Sequence, residues 1–65
     1  MNSDNENGYY AKACCYSLQN DEQQAINNLT KAIEIAPLRC RLEAKVNPDF
    51  DNFRSNVEFQ ALLDK

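Results

Sequence analysis

From Tyr9 onward the apolar residues of the chain recur three and four positions apart, the spacing of a helix face and not of a strand. Tyr9, Ala13 and Tyr16, with Tyr10, Cys14 and Leu18 between them, predict a first helix with a broad apolar surface. Gln19-Asn20-Asp21 supplies a turn that stops it near Asn20. Asp21 then offers its carboxylate to the free N–H groups of a second helix, and Gln24 stands three residues on, at the capping-box position. Along that helix Ala25, Leu29, Ala32, Ile33 and Ala36 share a face that Ile26 and Ile35 widen, while Asn27, Asn28, Thr30, Lys31 and Glu34 take the other side. Pro37 ends this helix or opens the next.

A third segment, from Leu38 to about Val46, sets Leu38, Leu42 and Val46 four apart on one face. Asn47-Pro48 breaks it and predicts a short turn of helix capped by Asn47, with Phe50 and Phe53 three apart. A last helix begins at Ser55 or Asn56: Ser55 with Glu58 makes a capping box, and Asn56 is an equally good cap alone. Phe59, Leu62 and Leu63 form its apolar side. Residues 1–7 carry no apolar side chain after Met1 and read as a flexible lead-in. Period-two alternation is missing and Gly is nearly absent, so the predicted class is all-α. A helix-turn-helix hairpin over residues 8–37 is followed by a third helix and a short C-terminal capping helix over residues 38–65.

The hairpin from Tyr9 to Pro37 resembles the tetratricopeptide repeat, a helix-turn-helix unit with a period of about 34 residues. Ala13 takes the small position where the helices cross, and Tyr16 the aromatic position three residues later. Ala25 and Ala32 are the small positions of the second helix, Leu29 is the bulky residue between them, and Pro37 matches the terminal proline. Two residues depart from the pattern. Lys12 replaces a large apolar residue, its stem expected to snorkel along the hairpin, and Asn20 stands where Gly is common. The tail Asn47 to Leu63 resembles the closing segment that follows the last repeat of such arrays. The resemblance implies an α-α superhelix and a non-enzymatic role in binding a partner protein or peptide. It further implies that Tyr10, Cys14 and Ser17, at +4 and +7 along the first helix, line the concave groove where the family receives peptides. None of the three is a Lys or Asn of the kind that clamps a C-terminal carboxylate, which disfavours that mode.

Length adds one condition. A chain of 65 residues buries only about 60% of the surface its unfolded form exposes. One repeat also lacks the roughly three units that arrays need. The hairpin side that would meet an upstream repeat is therefore expected to be apolar and open, to be closed by a homodimer or by upstream repeats. A net charge of −3 gives no general attraction to nucleic acid or to an anionic membrane. The apolar runs are too short for a membrane span, and the polar, acidic N-terminus is no secretory signal, so the expected location is cytoplasmic.

Candidate chemistry is sparse. Without His there is no His-based triad or zinc site, and a single Gly leaves no phosphate loop; no cofactor is expected. Cys14, Cys15 and Cys40 are odd in number and form no CxxC, and adjacent cysteines diverge by about 100° on a helix. They read as reduced, small hydrophobes rather than metal ligands. Asp49 and Asp51 read as acidic residues of a first helical turn rather than an acid-base pair. Arg39, Arg41 and Lys45, interrupted by Glu43, read as a solvated helix face. Two other roles stay open: a self-assembly unit, or terminal cap of a longer array, and a thiol sensor whose assembly responds to oxidation at Cys14 or Cys15.

Overall fold

A computed structural model describes residues 5–64, and over them the chain is all-α. The elements are α1 (Glu6–Leu18), α2 (Glu22–Ile35), α3 (Pro37–Val46), a 3₁₀ helix (Pro48–Phe53) and α4 (Val57–Leu63), with no strand among the described residues. Helix α1 begins ahead of the boundary read from the sequence. The Asn5 side chain accepts the Gly8 N–H at 3.0 Å, and Glu6 places a carboxylate in the first turn, so a helix start forms on polar residues. Residues 1–4 of the expected lead-in lie outside the described residues.

The turn after α1 depends on Asn20, whose φ of 64° is left-handed, a conformation Asn tolerates better than most residues. It lets the Asp21 N–H reach back to the Tyr16 carbonyl at 2.9 Å, closing α1. The Asp21 carboxylate then accepts the Gln24 N–H at 3.3 Å and starts α2. The two helices form a tight hairpin in which Ala13, Ala25 and Ala32 have no exposed surface, as small residues at a close crossing require. Leu29, Ile26 and Ile33 are also buried; Ile35, expected to widen the same stripe, is exposed.

Pro37 opens α3 at its first position, where its missing N–H costs nothing. The face of α3 that turns inward is Cys40 and Ala44, buried against α2 and α4. Leu38, Leu42 and Val46, the face marked by four-residue spacing, point outward at 74%, 56% and 79% exposure. Close approach of α3 to its neighbours accepts only small side chains, and the large ones take the far side.

The core is closed by aromatic rings from the tail. Asn47 accepts the Asp49 N–H at 2.9 Å and caps the 3₁₀ helix. Asn56, not Ser55, caps α4 by accepting the Phe59 N–H at 3.1 Å. Phe50, Phe53 and Phe59 are all buried, with centroids 5.0 to 5.8 Å apart. Each ring contributes about 1.5–3 kcal/mol by burial, and edge-on pairing adds about 0.5–1.5 kcal/mol per pair. Arg54 fastens the tail to α3. Its guanidinium donates to the Ala44 carbonyl at 3.2 Å, in the last turn of α3, to the Asn47 carbonyl, which also accepts the Phe50 N–H at 3.2 Å, and to the Asp51 carboxylate at 2.6 Å.

Candidate functional site

Tyr10, Cys14 and Ser17 come together on one face of α1, as their spacing requires, and the 3₁₀ helix lies across them. Ser17 has no exposed surface; its hydroxyl donates to the Asp49 carbonyl, and its own carbonyl accepts from Asn52 Nδ2 at 3.1 Å. Asn47 Nδ2 donates to the Tyr10 hydroxyl at 3.0 Å and contacts Cys14 Sγ at 3.6 Å. The Tyr10 ring meets Phe50 edge-on at 5.8 Å. The face that the sequence offers as a peptide groove is thus covered by the chain's own Pro48–Phe53 segment. Ser17 is sealed beneath it, while Tyr10 and Cys14 keep part of their surface.

Burial pushes the Cys14 thiol above its ordinary pKa, and the neighbouring Asp49 carboxylate pushes it further. The Tyr10 phenol is raised by burial, and the Asn47 hydrogen bond opposes the rise. Cys40 is raised by burial and then by Glu43. Raised thiols remain protonated near neutrality and are weak nucleophiles. Cys14 is half-buried, Cys15 exposed and Cys40 buried, and among the described residues no three His, Cys, Asp or Glu side chains gather into a group that could hold a metal ion.

The outer side of the hairpin, expected to be apolar and open, presents small or partly covered apolar groups beside Lys12. Ala11, Lys12 and Cys15 are exposed there, Tyr9 and Tyr16 are half-buried, and Lys12 Nζ sits 5.8 Å over the Tyr9 ring. Among the described residues Leu18 is the only large apolar side chain of α1 that is mostly exposed, whereas α3 presents three. Beside the α3 row runs an open groove of about 630 Å³ lined by Ala36, Pro37, Leu38, Arg39, Leu42 and Glu43. Arg39 crosses to Glu6 at 2.8 Å and Asn7 at 3.0 Å, and bonds Glu43 at 3.3 Å. Arg41 turns away to the Leu62 carbonyl at 2.9 Å. Two members of the basic cluster, Arg39 and Arg41, thus make contacts within the chain. The sequence did contain a signal for the outward row: Cys40 and Ala44, small and four apart, stand on the opposite side of the same helix.

No protein-family model, curated protein or solved structure matches the chain. No helix among the described residues is long and apolar enough to cross a membrane.

Proposed function

We propose that the chain is a non-enzymatic protein-interaction module of the tetratricopeptide type that engages an apolar partner helix through α3. The observation that carries this reading is the row Leu38, Leu42 and Val46, exposed on a helix whose small residues are the buried ones. A chain this short gains little from burial, and three large apolar groups in water on one helix are best explained by a surface that another molecule covers. The Tyr10–Ser17 face is engaged by the 3₁₀ helix and contributes to the core instead of to partner capture.

A selection of displayed amphipathic helical peptides against the folded chain tests the proposal. Binders are expected to carry apolar residues at four-residue spacing and to be lost on Leu42→Asp but kept on Tyr10→Phe. Binders indifferent to Leu42→Asp, or none at all, would overturn it. A second reading, the closing unit of a longer repeat array, is favoured by one observation: a segment lying on the would-be groove is what ends such a groove. Cytoplasmic location accompanies either reading as an expectation.

A further inference from the structure

Helix α3 carries both halves of a self-complementary contact. Leu38, Leu42 and Val46 form an unbroken ridge at i, i+4 and i+8. The groove beside it has Leu38 and Leu42 on one bank and Arg39 and Glu43 on the other. Two such ridges can meet face to face across a two-fold axis, Leu42 against Leu42. A second copy supplies that ridge and receives this one, which is the requirement of a two-fold interface. We propose that α3 is the contact of a reversible homodimer, two copies packing antiparallel about Leu42. This rests on the reading of the chain as an interaction module and names its partner.

The charges agree with that partner. At about 100° per residue, Arg39 and Glu43 stand on one flank of the ridge and Arg41 and Lys45 on the other. A two-fold axis at Leu42 sets Leu38 beside Val46 of the second copy and Arg39 beside Glu43 of the second copy, each contact made twice. Arg39 is 53% and Glu43 46% exposed, so both retain room for this pairing. On the other flank, the bond of Arg41 to the Leu62 carbonyl draws its guanidinium toward α4, away from Lys45 of the second copy. One face of a ten-residue helix falls short of the roughly 800 Å² per partner of a stable interface. The dimer is therefore in concentration-dependent exchange.

Sedimentation velocity on the full chain, from about 10 µM to about 1 mM, reads this exchange directly. Reductant is kept present so that exposed Cys15 cannot cross-link two copies. The mass is expected to rise from 7.5 kDa toward twice that value. Leu42→Glu is expected to raise the dissociation constant by about 100-fold or more with unchanged helical circular dichroism. Arg39→Glu and Glu43→Arg are each expected to weaken the dimer alone and to restore it when mixed, since the mixture pairs opposite charges on both sides. A chain monomeric throughout, or a dimer that survives Leu42→Glu, overturns the proposal. If the chain stays monomeric while selected helical peptides still bind α3, the second copy is the wrong partner and the interaction reading stands; if neither binds, both fall.

Discussion

Helix α3 and the 3₁₀ helix are separated by Asn47 alone, yet they place their large apolar side chains in opposite environments. The 3₁₀ segment, Pro48-Asp49-Phe50-Asp51-Asn52-Phe53, is mostly polar, and its two rings are buried to 0% and 2% exposure. Helix α3 has three aliphatic residues in a row on one face and leaves all three in water. The difference lies in the available space. On the Tyr10–Cys14–Ser17 side of α1 phenyl rings find room: Phe50 meets Tyr10 edge-on at 5.8 Å and packs against Phe53 and Phe59. The surface that receives α3 is close and admits a thiol and a methyl. Hydrophobicity supplies the drive to bury, but the shape of the receiving surface selects which residues go in.

Truncating the deepest ring should separate the two regions most sharply. Phe50→Ala is expected to cost about 3–5 kcal/mol, comparable to the whole stability of a domain this small, and to leave the chain largely unfolded by circular dichroism at 25 °C. A folded Phe50→Ala chain would mean the 3₁₀ helix is a detachable flap and would dissolve the contrast with α3. Arg54→Ala removes the donors that cover the Ala44 and Asn47 carbonyls where the two regions join. A loss of about 1–3 kcal/mol in urea denaturation is expected, and no loss would show the tail to be held by its rings alone. Ser17→Ala, which leaves the Asp49 carbonyl without its side-chain donor, should cost about 1 kcal/mol by the same measurement.

The pH dependence sharpens the contrast further. Cys14, Tyr10 and Cys40 hold their protons more tightly when folded than when unfolded. The folded state therefore binds more protons on the alkaline side, and stability must fall as pH rises. The contribution is fully present below about pH 9, near the ordinary thiol value, and is lost as pH climbs through the raised values. A melting temperature that drops above that pH, less so in Cys14→Ala, is the expected result; a flat profile would show the 3₁₀ cover over Cys14 to be open in solution. The smallest effect belongs to α3. Leu42→Gln should shift stability by no more than about 0.5 kcal/mol, because an exposed side chain loses few contacts, and a larger loss would place that ridge inside the fold after all.

Much of the fold was legible because its causes are local. Asp21, Asn47 and Asn56 each cap a helix start with the side chain suited to it, and Pro37 opens α3. The candidate site was legible only in part. Spacing alone put Tyr10, Cys14 and Ser17 on one face, because helical pitch is fixed. That Asn47, Asp49 and Asn52 come back across thirty-odd residues to bond that face is a contact of high sequence separation. No local rule encodes it.

The sequence by itself determined that the chain is helical, where its turns fall, and which residues share a face, since each follows from backbone geometry and capping within a few residues. Only the tertiary structure decided which faces are used. It turned α3 so that Cys40 and Ala44 face inward and Leu38, Leu42 and Val46 face solvent, and it packed Phe50 against Tyr10 of α1. The physical reason is steric: a face is buried only against a surface shaped to accept it, and that surface exists only once the other helices have packed.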